Sequence, residues 1–195
     1  MWDERYSSDE FAYGTEPNRF LAENARRLTG PVLSLAEGEG RNAVFLATLG
    51  LEVLGVDSSG AGLAKAQKLA TRKEVSIQTQ VADLAVYTPP ESAFGSVVSI
   101  YAHLPSVIRQ RLYPLVQRAL KPGGILLLEA YSKAQATRNT GGPKDLDLLM
   151  SVEILRDEFP ALEIVALREV ERDVVEGRFH TGLASVVQLI GRKKA

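Results

Sequence analysis

Val32 to Asn42 reads Val-Leu-Ser-Leu-Ala-Glu-Gly-Glu-Gly-Arg-Asn, a short apolar run that enters a glycine-rich turn, with the helix-compatible stretch Ala43 to Leu49 after it. A buried strand feeding a helix through such a turn narrows the choice of fold more than any other feature of the chain. Gly38 and Gly40 allow the backbone to approach a ligand closely. The helix that follows presents unpaired N–H groups and the positive end of its dipole to that ligand. Glu52 to Val56 then reads as a second strand with Asp57 at its carboxyl end. A carboxylate about 20 residues beyond a glycine turn, at the next strand tip, is placed to accept both hydroxyls of a ribose, which fits an adenosine ligand.

The rest of the chain alternates strand and helix patterns. Ser58 or Ser59 can cap a helix running to about Thr71, and Glu74 to Val81 follows as a third strand. Asp83, in Ala82-Asp83-Leu84, stands just past it, where a carboxylate can accept from an exocyclic amine such as adenine N6 or close an Asx turn. Phe94 to Tyr101 is a fourth strand between Thr88-Pro89-Pro90 and Pro105. A helix from Pro105 and Ser106 to about Leu120 leads through Lys121-Pro122-Gly123-Gly124 into the strongest strand, Ile125 to Tyr131. Leu162 to Val175 and Thr181 to Arg192 form an antiparallel pair across the turn at Glu176-Gly177-Arg178. These patterns predict an α/β fold with a Rossmann-like doubly wound sheet, helices on both faces and ligands at the carboxyl ends of the strands.

Two segments fall outside that alternation. Met1 to Asn18 mixes Trp2, Tyr6, Phe11 and Tyr13 with charges, and Phe20 to Leu28 follows as a helix ended by Gly30-Pro31. Residues 1–30 therefore form an arm and helix that either pack on the domain surface or cover the ligand. Residues 132–150 are long, polar and without regular pattern, and they leave the carboxyl end of a strand. That makes them the first candidate for a substrate loop. A short helix from Ser151 to Phe159 follows.

The 195 residues suit a single domain, 1–195, with a sizeable core. A formal net charge of -1, with 24% charged residues, argues against a nucleic-acid partner. No apolar run approaches the roughly 20 residues of a membrane span, and Met1 leads into polar Trp2-Asp3-Glu4-Arg5, so a cytoplasmic monomer or homodimer with a small-molecule substrate is expected. The absence of cysteine excludes disulfides, thiolate-bound zinc and a cysteine nucleophile. Two histidines argue against a metal site.

With these residues in order, the chain resembles the class I methyltransferases that use S-adenosylmethionine, most of all the small tellurite-resistance-type and thiopurine-type branch. The resemblance runs from Trp2-Asp3-Glu4-Arg5-Tyr6 and Tyr13-Gly14, through the Gly38 to Asn42 signature Gly-Glu-Gly-Arg-Asn, Gly55-Val56-Asp57-Ser58, Asp83 and Lys121-Pro122-Gly123-Gly124, to the final hairpin. It implies a seven-stranded, mostly parallel sheet with an antiparallel C-terminal strand. It further implies that the turn of Ala36, Glu37, Gly38 and Gly40, with Asn42, holds the methionine end of the cofactor. Asp57 and Ser58 would meet the ribose, and Asp83 and the Leu84 amide the adenine. Tyr101 would line the methyl-donor side, and Tyr6, Tyr13 and Gly14 would close over the cofactor. The family pattern has Asp at the position of Ser34 and Gly at that of Ala36. Ala36 tolerates the turn only if its backbone keeps negative φ, and Glu37 either replaces the lost carboxylate or points to solvent.

Methyl transfer from a sulfonium needs mainly approach, alignment and exclusion of water. If a base takes part, His103 is the candidate, either in that role or packed against the Pro105 turn, and His180 is a weaker second. The Asn/Asp-Pro-Pro-aromatic motif of amino-group methyltransferases is missing at Ser99-Ile100-Tyr101-Ala102. A thiol, a metalloid oxyanion or a hydroxyl or carboxyl metabolite is therefore the expected acceptor. Tyr131, Arg138, Arg178 and His180 are candidate substrate contacts, and Lys133, Arg138 and Arg178 could attract an anion. Two rivals remain: an NAD-binding oxidoreductase, since Gly38 to Ala43 also fits G-x-G-x-x-A, and a silent module that binds S-adenosylmethionine or its product.

Overall fold

The structure, a computed structural model, describes residues 2–177 and 180–194. Strands β1 (Val32–Leu35), β2 (Val53–Asp57), β3 (Gln78–Val81), β4 (Phe94–Ile100), β5 (Leu120–Tyr131), β6 (Leu162–Glu176) and β7 (His180–Lys193) form one sheet in the order β3-β2-β1-β4-β5-β7-β6. The first five pair in parallel, and β7 runs antiparallel to both β5 and β6. The doubly wound sheet with a reversed last strand is as the sequence predicts.

Side-chain alternation along the central strands sets the layers. Leu33, Leu35, Val97, Leu126 and Leu128 point to one face, where they pack on Leu112, Tyr113 and Val116 of α5 (Ser106–Ala119) and Leu155 of α6 (Val152–Glu158). Val32, Val98 and Leu127 point to the other. There they meet Phe20 and Leu21 of α2 (Arg19–Asn24), Val44 and Leu46 of α3 (Arg41–Thr48), and Ala66 and Leu69 of α4 (Gly60–Arg72). Because both faces are covered, β1 and β4 are buried at every position. A single-turn helix, α1 (Trp2–Arg5), opens the chain.

Two expectations need correction. The third strand starts at Gln78 rather than Glu74, because Glu74 adopts φ 57° and ends α4, with the Val75 N–H donating back to the Ala70 carbonyl. Residues 132–150 are not structureless. They contain two 3-10 turns, Lys133–Thr137 and Leu146–Leu148, and return to pair Ser132 with Met150. The buried Gln135 amide ties the loop together by donating to Thr140 Oγ1 and the Gly141 carbonyl while accepting from the Ser185 N–H.

Candidate active site

The sheet reverses its winding between β1 and β4, and the turn after β1 lies at that point. Backbone φ is positive at Ala36 (52°), Gly38 (62°) and Gly40 (91°) but not at the residues between them, an alternation that gathers successive N–H groups into one concavity. Ala36 thus takes the left-handed conformation, so the turn accommodates it without the negative φ that its side chain would favour. Tertiary bonds hold it there: the Glu37 N–H donates to the Val56 carbonyl at 3.1 Å, and the Gly38 N–H donates to Asp57 Oδ2 at 2.9 Å.

Glu37 turns inward. Its Oε2 accepts from the Ser34 hydroxyl and its Oε1 accepts from the Ala43 N–H at 2.9 Å, and burial pushes its carboxyl up to about 7. Gly40 serves the packing of two helices. A Cβ there would lie 2.5 Å from the Ala66 Cβ, so its missing side chain lets α3 cross close to α4.

A cavity of about 720 Å³ opens at the carboxyl ends of β1 to β4. Ala36, Glu37, Gly38, Asn42, Asp57, Ser58, Asp83, Leu84 and Tyr101 all line it, so the structure brings together the residues that the sequence placed on separate strand ends. Asp57 accepts from the Ser59 N–H through Oδ1 (2.8 Å) and from the Gly38 N–H through Oδ2 (2.9 Å), leaving each oxygen a further lone pair. Burial raises its carboxyl above the ordinary range, and those two backbone donors oppose the rise. Asp83 accepts from the Ala85 N–H at 2.9 Å, so its side chain closes an Asx turn as well as facing the cavity.

The N-terminal arm covers this end. Trp2, Arg5, Tyr6, Tyr13 and Gly14 line the cavity, and Tyr6 lies against the turn so closely that a Cβ on Gly38 would be 2.8 Å from its hydroxyl oxygen. The arm is both packed and covering. Lys65 Nζ donates to the carbonyls of Ser8 (2.8 Å) and Glu10 (2.7 Å) and pairs with Glu39 at 2.5 Å, whose other oxygen accepts from the Ala12 N–H at 2.8 Å. Glu39 stands inside the glycine signature that the sequence singled out, yet its part as an anchor is visible only in three dimensions.

Beyond β4 the wall changes character. Tyr101 has φ 54°, a costly conformation for a bulky residue, and the His103 N–H donates to its carbonyl at 3.0 Å, so the chain doubles back and presents Tyr101 and His103 to the cavity. His103 Nδ1 lies 3.0 Å from the Leu148 carbonyl. A carbonyl only accepts, so Nδ1 carries the proton and Nε2 bears the lone pair of the neutral ring. Tyr131 lies behind this wall and not on it: fully buried, it stacks on His103 (5.4 Å between ring centroids) and packs on Tyr101 (4.8 Å). Gly141, Gly142, Pro143 and Leu148 of the loop close the same end.

Arg138 does not face the cavity, because its guanidinium pairs with Glu171 on the edge strand β6. Arg178 and the side chain of His180 lie outside the described residues. Sequence reasoning also passed over a buried polar network beneath Tyr101. Asn18 Nδ2 donates to Glu129 (2.8 Å) and Glu176 (2.9 Å), Arg41 donates to Glu176 (2.6 Å), and Arg172 reaches both Glu129 and Glu176. A glutamate in the middle of the strongest strand was the one signal for it. This network joins the arm, α3 and the last three strands, and its two carboxylates hold the Tyr101 hydroxyl well above the ordinary phenol range, second only to burial.

Among the described residues no helix is long and apolar enough to cross a membrane, and no cluster of three or more potential metal ligands occurs. Residues 32–124 match the family model described as Methyltransferase domain. A curated 2-heptyl-1-hydroxyquinolin-4(1H)-one methyltransferase from Mycobacteroides abscessus is 25% identical over 120 residues, 60% of this chain and 53% of that protein, so the match spans about half of its length. Among solved structures, one described for conversion of a disulfide bond into a thioacetal group during echinomycin biosynthesis is 20% identical with a TM-score of 0.80, covering 98% of this chain and 88% of that one. TehB from Haemophilus influenzae is 15% identical with a TM-score of 0.73, covering 99% and 66%. Residues 32–124 thus resemble a methyltransferase domain, and the fold is that of the class I S-adenosylmethionine-dependent methyltransferases.

Proposed function

We propose that the chain binds S-adenosylmethionine in the 720 Å³ cavity and transfers its methyl group to a small-molecule nucleophile: a thiol, a metalloid oxyanion, or a hydroxyl or carboxyl group. The observation that carries this reading is Asp57, buried at a strand tip with both oxygens oriented by backbone N–H groups of the glycine turn and of Ser59. The wall fits the group. It holds the carboxyls of Asp57 and Asp83, whose further lone pairs suit the ribose hydroxyls and the adenine amine of such a ligand.

In this reading Asp57 and Ser58 hold the ribose, and Asp83 with the Leu84 amide holds the adenine. The turn from Ala36 to Gly38, with Glu37 and Asn42, holds the amino-acid end, and Tyr6, Tyr13 and Gly14 exclude water from above. When bound, S-adenosylmethionine supplies an electrophilic methyl group on a sulfonium. Tyr101 lines the donor side as a neutral phenol. His103 is the candidate to take the acceptor's proton at Nε2, and the Leu148 carbonyl fixes its tautomer. The name of the Mycobacteroides relative, a methyltransferase of a hydroxyquinolone, supports a hydroxyl among the acceptors.

Calorimetric titration with S-adenosylhomocysteine tests the reading without turnover. Wild type is expected to bind in the micromolar range and Asp57→Ala roughly ten- to a hundredfold more weakly, since hydrogen bonds to a charged group contribute about 1.5–3 kcal/mol each. No binding by wild type would overturn the cofactor assignment. Binding without methyl consumption by any thiol, oxyanion or hydroxyl compound would leave a silent binding module.

A further inference from the structure

Arg41 opens α3, and with Arg5 it makes up the arginines of the cavity wall among the described residues. Arg5 lies on the exposed side of the arm, where its Nη1 donates to the Tyr13 hydroxyl at 2.8 Å. Arg41 is buried, with 8% of its surface exposed. Its Nη2 donates to Glu176 Oε2 at 2.6 Å, whereas its Nη1 is shut off from solvent and bonds to no described residue. A charged donor buried without a partner bears its full desolvation cost, so an unbonded guanidinium N–H beside a cavity marks a place for an acceptor. The network behind Arg41 does not supply one. Glu176 Oε1 takes Asn18 and Arg172, and Glu129 takes Asn18, Arg172 and Gln188.

The place lies at the glycine turn. Burial raises the Glu37 carboxyl and, after its two hydrogen bonds, the charge of Arg41 lowers it, so the two side chains stand within electrostatic reach of each other. Each Glu37 oxygen accepts one bond, from Ser34 or from Ala43, and keeps a further lone pair. One wall of the turn thus offers an acceptor and the other an unused cationic donor. A ligand whose end bears both an ammonium and a carboxylate matches that pair, and the positive end of the α3 dipole favours the carboxylate on the side of Arg41.

Resting on the cofactor reading above, we propose that Arg41 holds the α-carboxylate of S-adenosylmethionine. Its guanidinium turns Nη1 to the carboxylate and keeps Nη2 on Glu176, while the ammonium lies toward Glu37. Arg41 thereby selects the intact cofactor against its decarboxylated form. The same contact ties the ligand to the end of β6 and, through Asn18, to the arm.

Calorimetric titration of the full chain with three unreactive ligands separates the contacts. 5′-Methylthioadenosine carries the adenosine half alone, S-adenosyl-3-thiopropylamine adds the amine, and S-adenosylhomocysteine adds the carboxylate. Wild type is expected to bind S-adenosylhomocysteine about ten- to a hundredfold tighter than the propylamine, the range for one hydrogen bond to a charged group. A ratio under about threefold would overturn the assignment and leave Nη1 to an anionic acceptor or to the network alone. Arg41→Met is expected to bring the ratio under about threefold, with 5′-methylthioadenosine still bound within about twofold of wild type. Equal weakening of all three ligands would show a structural role instead, and an unchanged ratio would place the carboxylate elsewhere. Since Glu176 loses a partner in that variant, Arg41→Lys is measured beside it. Its ammonium keeps a charge opposite Glu176 but lacks the second arm of the fork, so most of the ratio should still be lost. Arg5→Met should keep the ratio, and its loss there with retention in Arg41→Met would assign the carboxylate to Arg5. Failure of wild type to bind either 5′-methylthioadenosine or S-adenosylhomocysteine removes the cofactor reading, and this inference with it.

Discussion

The hydroxyl of Ser34 donates to the carboxylate of Glu37, three residues along the chain, and so joins the end of β1 to the turn that follows it. The family pattern places an acid on the strand. Here the strand supplies the hydroxyl and the turn supplies the acid, so the carboxylate reaches the interior from the other side of the bend. The exchange keeps a buried acceptor beneath the N-terminus of α3, where the Ala43 N–H and the helix dipole favour negative charge.

Burial nevertheless dominates at Glu37, which titrates near 7 in the fold and near its ordinary 4.5 in the unfolded chain. Between those values the folded chain holds a proton that the unfolded chain has lost. This group therefore lowers stability as pH rises through the window, and the loss is complete above about 7. The difference corresponds to about 3 kcal/mol. Glu37→Gln keeps the shape and both hydrogen bonds without titrating, although Arg41 and Asp57 still face the site. In urea unfolding at pH 5 and pH 8.5, the variant is expected to gain about 2–3 kcal/mol on wild type over that interval. Parallel curves would show that Glu37 does not titrate in the window.

Gly40→Ala separates packing from binding in the glycine signature. The added Cβ would meet Ala66 at 2.5 Å in a residue with φ 91°, so crowding and left-handed strain act together. Left-handed strain costs about 1–2 kcal/mol and crowding about 1–3 kcal/mol, which predicts a loss of roughly 2–5 kcal/mol in chemical denaturation. The fraction that remains folded should bind S-adenosylhomocysteine with wild-type affinity. A stable variant that no longer binds would return Gly40 to the cofactor contacts.

The difference between Gly38 and Gly40 marks how far the residues could be read from the sequence. The short apolar runs Val32 to Leu35 and Ile125 to Leu128, bounded by turn residues, and the carboxylate at Asp57 are local signals with a fixed geometric meaning, so the sheet and the cofactor end follow from them. What a glycine faces depends on the helix packed against it, and α4 comes from another part of the chain. Ala36 is bent into positive φ by a bond from Glu37 to Val56 that no local preference announces. The network of Asn18, Glu129 and Glu176 joins residues 111 and 158 positions apart. Arg138 looked free because its partner, Glu171, lies on a strand beyond the next helix.

Lys65→Met tests whether the arm is held mainly by one side chain. Removing the ammonium leaves the Glu39 carboxylate buried and releases the Ser8 and Glu10 carbonyls, and breaking a buried pair in this way costs about 3–5 kcal/mol. Hydrogen exchange should quicken in residues 7–13 beyond the general rise seen in β4 and β5, and S-adenosylhomocysteine should dissociate faster. Arm protection that tracks the core would mean that Tyr6 and Asn18 hold the segment without Lys65.

Arg109 sets the acceptor wall from behind. It is buried on α5, where its Nη1 donates to the Leu104 and Asp147 carbonyls, both at 2.6 Å, and its Nε donates to both oxygens of Glu158 at 3.0 Å. Leu104 follows His103, and Leu148, whose carbonyl accepts from His103 Nδ1, follows Asp147. One guanidinium thus ties together the two backbone segments that orient the imidazole. An ammonium cannot reproduce that fork, so Arg109→Lys is expected to loosen the wall while leaving a charge opposite Glu158. S-adenosylhomocysteine affinity should stay within about twofold of wild type, while the KM for an aromatic thiol rises about tenfold. Long-range 1H–15N spectra of His103 should change from the single Nδ1-protonated tautomer to a mixture. Glu158→Gln, which keeps an acceptor for Arg109, should move these readouts much less. Should cofactor affinity fall in step with acceptor binding, Arg109 would be supporting the whole fold and not the wall around His103.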